Sequence, residues 1–523
     1  MHRQVRPPPP ELETGSFQLL LPELVQLMVR YAVAPHHDEW SHATANWHSC
    51  RAVSSTFRTA VDQLVTSYED SGPGTAQRAV AALRRLTYLK HLTLKALDDE
   101  ALARVLMNLR ESQVQYLRLP QGSFDLSSLQ ATNNCQLGLG KILLLDLGGC
   151  GSIDDAGLEE MVRQAPLLEC LTLTCNARLS TPRLFAPHLH TVSLCICANL
   201  QDVVVDYLVQ YSHKLRQVNF WRCPLLHAPA VFAPLLDELN FAHCVKLGDQ
   251  ALVPLAKGSC PSLQTLILSN CPLIARPANF GGKELRILDL SATDIEDDTL
   301  SEVVSSSPQL SRLDISHCDK LADPMIGGEK IRSIVATGCA SLRDSAVSNA
   351  CMTSPNMAML RLSLCVGLHY PQLGSPGLVE ANLSGCSLLV DEAISTLCRM
   401  SPKLKRLSAC ICGALVFPVI EGASLERLEL AHCENLKGPI IGGPHVTDIN
   451  LSGCPSLVDA TVERLCVACP NLRKLNISRC ARLVAPVLCS ASLCVLNVAE
   501  LDLGVLARIQ ASASWPCLEK VKS

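Results

Sequence analysis

Residues 454–480 read CPSLVDATVERLCVACPNLRKLNISRC, and this stretch contains the structural unit from which most of the chain is built. A polar turn with Asp459 leads into a short amphipathic segment that ends at Pro470. Two leucines and an isoleucine follow at the spacing L-x-x-L-x-L, and Cys480 comes after the last of them. The amphipathic segment predicts a helix, and the alternating apolar residues predict a strand buried on one face.

The pattern L-x-x-L-x-L-x-x-C is a leucine-rich repeat in which cysteine takes the place that asparagine has in many such repeats. It recurs in clean register from Ile142 onward, and thirteen of the 27 cysteines occupy its last position, here called the repeat position. The repeat position is filled in turn by Cys150, Asn176, Cys197, Cys223, Cys244, Cys271, Thr293, Cys318, Cys339, Cys365, Cys386, Cys412, Cys433, Cys454 and Cys480.

Two kinds of coil alternate along the chain. Long coils of 25 to 27 residues contain a helical pattern, whereas short coils of 21 or 22 residues contain L-x-x-P-x-I-x-G, which is typical of an extended return path. Two short coils adjoin once, after Cys412. We therefore predict an α/β fold, a leucine-rich-repeat solenoid with parallel strands on its concave face and alternating helix-bearing and helix-free coils.

Each long coil has an aspartate five residues after its repeat position. An aspartate at the start of a helix accepts free amide protons of the first turn and stabilises the helix by about 1 kcal/mol. We therefore expect helix caps at Asp155, Asp202, Asp249, Asp298, Asp344, Asp391 and Asp459.

The composition argues against several classes of protein. Hydrophobic residues make up 48% and aromatic residues only 4%, which suits a solenoid better than an enzyme with an aromatic core. A net charge of −4 provides no basic field, so we expect neither a nucleic-acid partner nor an anionic membrane. No apolar run approaches the roughly 18 residues that span a bilayer, and the first residues do not resemble a secretory signal. The many cysteines then predict thiols in the cytoplasm or nucleus.

The repeat cysteines have two interpretations, namely metal or redox chemistry and a buried ladder of thiols that act as weak donors. We favour the ladder because every coil contributes one residue and the predicted compartment is reducing. Cys466 and Cys469 form a C-x-x-C pair, but no second pair with zinc-ligand spacing accompanies it. No phosphate loop or nucleophile elbow occurs. We therefore expect no catalytic residue, no metal and no cofactor.

The N-terminal segment contains a second pattern. Leu21-Pro22-Glu23-Leu24 opens a helical run, and Cys50-x-x-Val53-Ser54-x-x-Phe57 follows it. The segment resembles an F-box, whose pattern is L-P-x-E-L, a helical run and C-x-x-V-S/C-x-x-W, although phenylalanine replaces the tryptophan and the intervening gap is longer. The alternative is a helical cap over the first repeat. We divide the chain into a disordered tail (1–16), the F-box-like unit (17–66), a linker with a capping helix (67–85) and the solenoid (86–523).

An F-box-like unit followed by cysteine-type repeats resembles the F-box/leucine-rich-repeat family. The resemblance implies a non-catalytic substrate-recognition subunit of an SCF (Skp1–cullin–F-box) E3 ubiquitin ligase, which promotes ubiquitination and proteasomal degradation of a protein client. The alternative is a scaffold without ligase function, for instance in a cytoskeletal or ciliary assembly. The residues implied to contact a Skp1-type adaptor are Leu21, Pro22, Leu24, Leu27, Met28, Val53 and Phe57.

Client contacts are predicted on the concave face, where asparagines recur between the second and third apolar positions of the strands. Trp221 with Arg222 is the first candidate, because tryptophan and arginine are over-represented at binding hot spots. The alternative is that the tryptophan only packs on its neighbours. The complete set of client-binding candidates is Asn219, Trp221, Arg222, His243 and His317.

Overall fold

The computed structural model describes residues 65–71, 74–122, 137–488, 490, 492–511 and 520–522. The predicted tail and all seven adaptor-contact positions from Leu21 to Phe57 lie outside the described residues. The chain forms two compact units. The first extends to Asn176 and includes residues 186–188, and the second contains residues 177–185 and 189 onward.

The first unit contains five parallel strands, each paired with the next in sequence. Their central leucines from the second strand onward are fully buried and lie at the same register. The strands are β1 (Ser67–Asp70), β2 (His91–Leu94), β3 (Tyr116–Arg118), β4 (Leu144–Asp146) and β5 (Cys170–Thr174). The connections contain α1 (Thr75–Arg85), α2 (Asp99–Leu109), a 3-10 turn (Leu139–Lys141) and α3 (Asp155–Arg163).

Residues 67–85 were predicted to form a linker and a capping helix. The linker part of this prediction is wrong. Ser67–Asp70 is a strand that pairs with β2 in parallel, with Tyr68 opposite Leu92. The Tyr68 hydroxyl donates to the Asp70 carboxylate at 2.9 Å. The predicted cap, α1, is the helix of this first coil, so the repeats begin before residue 86.

The second unit contains a main sheet of fifteen parallel strands among its described residues. Two further strands, Val419–Glu421 and Ile440–Gly442, pair separately. The strands are β6 (Thr191–Cys195), β7 (Gln217–Asn219), β8 (Glu238–Asn240), β9 (Thr265–Ile267), β10 (Ile287–Asp289), β11 (Arg312–Asp314), β12 (Ser333–Val335), β13 (Met359–Arg361), β14 (Glu380–Asn382), β15 (Arg406–Ser408), β16 (Val419–Glu421), β17 (Arg427–Glu429), β18 (Ile440–Gly442), β19 (Asp448–Asn450), β20 (Lys474–Asn476), β21 (Val495–Asn497) and β22 (Lys520–Lys522).

The predicted alternation of coils is confirmed in the second unit, because its long coils carry a helix or helical turn and its short coils, as far as they are described, carry none. The helices bury their apolar side against the strands and expose the other. They are α4 (Val203–Tyr211), a 3-10 turn (Asp249–Leu252) continued by α5 (Val253–Ala256), α6 (Asp297–Ser305), α7 (Asp344–Thr353), α8 (Asp391–Met400), α9 (Asp459–Ala468) and α10 (Leu503–Ala511).

The thiol ladder is confirmed. All thirteen repeat cysteines are fully buried, and none of them is in a disulfide. In twelve of them, Sγ donates to a main-chain carbonyl of the preceding coil at 2.9–3.3 Å, as from Cys339 to Ile315. Burial raises the pKa of the Cys339 thiol to about 12. Asn176 fills the same position by donating Nδ2 to the carbonyls of Cys150 and Ile153 at 2.9 and 2.7 Å.

In the second unit, the long-coil aspartates do not form the expected helix caps. Asp344 is the first residue of α7, and the residue before it, Arg343, takes the cap position without a side-chain bond. The Asp344 carboxylate instead accepts the backbone N–H groups of His369 and Tyr370 in the next coil, both at 2.9 Å. The residues that act as such inter-coil clamps are Asp202, Asp249, Asp297, Asp344, Asp391 and Asp459.

Two of the expected positions are also shifted by one residue. Asp297 forms the clamp in its coil, and the predicted Asp298 is exposed beside it. In the first unit a true cap exists, but Asp154 supplies it in place of Asp155, since its Oδ1 accepts from the Gly157 N–H at 2.8 Å.

Candidate protein-binding surface

Four of the five predicted client residues lie together at the ends of β7 and β8. The Arg222 guanidinium carbon lies 4.7 Å from the centre of the Trp221 indole, in cation–π geometry. The His243 ring meets the same indole edge-on, with 6.0 Å between ring centres. Asn219 lies at the base, where its Oδ1 accepts the Trp221 N–H at 3.0 Å. These four residues are here called the tryptophan patch.

His317 is not part of the tryptophan patch, because it lies three coils further along the chain than His243. Its ring lies over Gly338 in the next coil, where a Cβ at position 338 would come within 2.5 Å of the His317 Nδ1. His432 covers Gly453 in the same way, with a corresponding distance of 2.4 Å. His317 is therefore a separate candidate on a different coil, and its role as a client contact stays a prediction.

The backbone at the end of each strand directs these side chains outward. The residue before the repeat position has a positive φ, which is 57° in Arg222, 61° in His243 and 58° in His317. This conformation is uncommon for residues other than glycine. It turns the chain sharply after the strand, so the side chain projects from the sheet edge while the next residue enters the core. Arg222 is accordingly exposed, and Trp221 and His243 are half-buried.

The recurring asparagines have a structural role that the sequence did not reveal. In each, Oδ1 accepts the backbone N–H two residues later at 2.8–3.2 Å, which holds the turn at the strand end. Asp289 and Asp314 accept the same bond in their coils, at 2.9 and 3.0 Å. The asparagines that form this turn are Asn219, Asn240, Asn382, Asn450, Asn476 and Asn497.

The middle of the sheet surface carries an ion-pair cluster that the sequence analysis missed. Glu380 accepts from Arg361 at 2.8 Å and from Arg406 at 2.6 Å, one guanidinium on each neighbouring strand. Bonds from Arg406 and then Arg361 lower the pKa of the Glu380 carboxyl. The signal was available, because all three residues flank the central apolar position of adjacent strands. The cluster pairs its own charges and leaves the arginines less available to a partner.

A shallow groove of about 230 Å³ lies farther along the same surface, over β17, β19, β20 and β21. Its walls carry balanced charges, with Arg427 and Lys474 against Glu429 and Asp448. The Lys474 ammonium pairs with the Asp448 carboxylate at 3.2 Å.

Among the described residues, no cluster of three histidine, cysteine or acidic side chains is arranged to hold a metal ion. Cys466 and Cys469 of the C-x-x-C pair are buried at the end of α9 and form no disulfide, and burial raises the pKa of the Cys469 thiol to about 11. Within the described ranges, no helix has the length and apolar character needed to cross a membrane.

Comparisons with known proteins agree with the repeat assignment. Residues 232–359 match the model of the leucine-rich repeats of FBD-associated F-box protein At5g56370. No curated protein matches the chain significantly. A chain in the crystal structure of the Rad7 and Elc1 complex in yeast aligns over 96% of this chain and 97% of its own length, at 14% identity. Its TM-score of 0.33 is too low to support an inference. The family match covers about a quarter of the chain, and it shows that residues 232–359 are similar to the leucine-rich repeats of an F-box protein.

Proposed function

We propose that this protein is the substrate-recognition subunit of an SCF-type E3 ubiquitin ligase. In this role the segment from Leu21 to Phe57 binds a Skp1-type adaptor, and the repeats bind a protein client for ubiquitination and degradation. The observation that carries the proposal is the match of residues 232–359 to the repeats of an F-box protein, on a chain whose N-terminal segment has an F-box-like pattern. The protein positions its client and performs no covalent chemistry.

The tryptophan patch is the part of the repeats that we propose as a client contact. Trp221 offers a large half-buried aromatic surface, and Arg222 lies over it exposed to solvent. Arg222 has no ion-pair partner in the described part of the chain, in contrast to Arg361 and Arg406. An unpaired guanidinium on an aromatic face favours a client segment with an acidic side chain next to an apolar one.

The cysteines support a reducing compartment, because none of those that the structure describes is in a disulfide. We propose the cytoplasm or the nucleus as its location, where an SCF ligase and its client would meet.

Co-purification of Skp1 with the full chain tests the ligase role. The double variant Leu24→Asp and Val53→Asp places two charges on the predicted apolar contact, and we expect it to reduce Skp1 recovery at least about tenfold. Trp221→Ala with Arg222→Ala is the matched control, since it changes the repeats alone and is expected to leave Skp1 recovery unchanged. An intact protein that does not bind Skp1, or a charged double variant that binds equally well, would contradict the proposal.

A further inference from the structure

Three neighbouring strands carry asparagine at the same register. Asn450 of β19 lies beside Asn476 of β20, which lies beside Asn497 of β21. All three are half-buried on the sheet surface and line the groove over β17, β19, β20 and β21. They are here called the asparagine row.

The turn bonds fix how these amides are oriented. Oδ1 of Asn450 and of Asn476 each accept a backbone N–H at 3.1 Å, and Oδ1 of Asn497 accepts one at 3.2 Å. The oxygen therefore faces the chain's own turn, and the Nδ2 group is left on the other side of the amide. The row thus presents three NH₂ donors to the groove.

These donors differ from several asparagine amides outside the strands. The Nδ2 groups of Asn199, Asn435 and Asn471 donate to main-chain carbonyls at 2.7–2.8 Å. The Nδ2 groups of the asparagine row have no such acceptor among the residues that the structure describes. A row of unmet donors in a groove whose charges balance is complementary to a partner that supplies acceptors.

The spacing of the row selects the conformation of that partner. Strands in a sheet lie about 4.8 Å apart, so Asn450 and Asn497 are separated by about 9.6 Å. A polyproline II segment rises about 3.1 Å per residue and repeats after three residues, so side chains at i and i+3 lie about 9.3 Å apart. In a β-strand, the side chains on one side recur about every 6.8 Å. This distance matches neither one nor two of the spacings between strands in the sheet.

We propose that the asparagine row binds an extended client segment in the polyproline II conformation, with acceptor side chains of glutamate or glutamine at positions i and i+3 on Asn450 and Asn497. The groove is open, and its volume is below the roughly 300–1,000 Å³ of small-molecule pockets, which favours a peptide. The assignment of this peptide to a client rests on the proposed function, whereas its binding is measured independently.

The test uses the full chain and three synthetic peptides, (Glu-Pro-Pro)₃, (Gln-Pro-Pro)₃ and (Lys-Pro-Pro)₃, with binding followed by fluorescence anisotropy. We expect the glutamate and glutamine peptides to bind and the lysine peptide to bind at least about tenfold more weakly. Asn450→Asp with Asn497→Asp keeps the turn bonds, as Asp289 and Asp314 do naturally, and replaces the donors with charged acceptors. This variant should bind the glutamate peptide about tenfold more weakly than the wild type does, and it should prefer the lysine peptide.

Asn382→Asp is the matched control, because Asn382 makes the same turn bond outside the groove. It should leave all three affinities unchanged, and thermal melting should show both variants folded. The proposal is overturned if the wild type does not prefer acceptor peptides, if the double variant keeps the original preference, or if the control loses as much affinity. Skp1 co-purification with the same double variant should be unchanged, so loss of Skp1 binding and loss of peptide binding report separately on the ligase role and on this groove.

Discussion

The long and short coils of the second unit satisfy their backbone groups in different ways. A long coil contains a helix, whose N–H and C=O groups pair with each other. A short coil returns in an extended path without such pairs, and two of its N–H groups donate to the aspartate of the preceding long coil. In one such pair, Asp391 accepts from Val416 and Phe417 at 2.8 and 2.9 Å. The long coil is therefore a template for the short coil after it.

The place where two short coils adjoin shows what happens without a template. The second of them has no long coil before it, and its return strand β18 pairs with β16 of the first. The Ile440 N–H donates to the Pro418 carbonyl at 2.9 Å. The return path of a short coil is thus held either by a clamp or by another strand. The helix-free coils therefore depend on their neighbours more than the helical ones do.

Alkaline pH should destabilise both kinds of coil, since the thiol ladder includes coils of both kinds. The folded pKa of Cys339 is raised from 9.0 to about 12 and that of Cys386 likewise to about 12, in both cases chiefly by burial. Below pH 9 both states hold the proton and the full stability is present. Above pH 9 the unfolded thiols ionise first, so stability falls as pH rises through about 12, by roughly 1 to 3 kcal/mol per ladder thiol at pH 11.

Chemical denaturation between pH 8 and pH 11 measures this loss, which summed over the ladder should unfold the protein. Cys339→Thr introduces the residue that fills the repeat position at Thr293. It should reduce the loss of stability at high pH by the contribution of one thiol. Unchanged stability from pH 8 to pH 10.5 would contradict the expectation.

A clamp variant should affect one short coil only. Asp297→Ala removes the acceptor of the Ala322 and Asp323 N–H groups, both at 2.9 Å. We expect a loss of about 2 kcal/mol in the free energy of unfolding, because a partly buried donor is left without a partner. Asp298→Ala is the matched control, and we expect less than about 0.5 kcal/mol from this exposed neighbour. A larger loss of stability in Asp298→Ala than in Asp297→Ala would instead support the interpretation of Asp298 as a helix cap. Urea denaturation of the two variants decides between them.

The repeat itself was predictable because its signal is periodic. Burial of the repeat cysteines and the alternation of coils both follow from the spacing of the pattern. A buried thiol can donate its one hydrogen bond to the nearest main-chain carbonyl, so no distant partner had to be predicted. The strand at Ser67–Asp70 was missed because an outer strand with polar residues has no leucine pattern. The role of the aspartates was predicted wrongly from local sequence, because the N–H groups that they accept belong to a coil more than twenty residues away in sequence.

Contacts between surface residues were predictable only where the residues belong to successive coils. Trp221 and His243 are one coil apart and do meet, whereas His317 is several coils away and does not. The recurrence of asparagine was visible in the sequence, but the orientation of each amide was not. That orientation depends on a turn bond, which settles whether a row of asparagines offers oxygens or NH₂ groups to a partner.

The smallest expected effect concerns the turn that both coil types share at the strand end. Ile411, the last residue before its repeat position, has a φ of 57° and is 60% exposed. A β-branched residue is strained in this region, and asparagine tolerates it, as Asn270 does at the equivalent position with the same φ. Ile411→Asn should therefore stabilise the protein by about 0.5–1 kcal/mol.

Ile411→Val, which keeps the branched Cβ, should bring no gain, and Gly385→Ala in the preceding coil should have the opposite sign. Gly385 has a φ of 80°, and a Cβ there would lie 2.5 Å from the Leu364 Cδ2. We expect a loss of about 1–2 kcal/mol. Thermal and urea unfolding of the three variants measure these differences. Equal stability of the asparagine and valine variants would show that the strand-end turns carry no strain, and the two kinds of coil would then differ only in how their return paths are held.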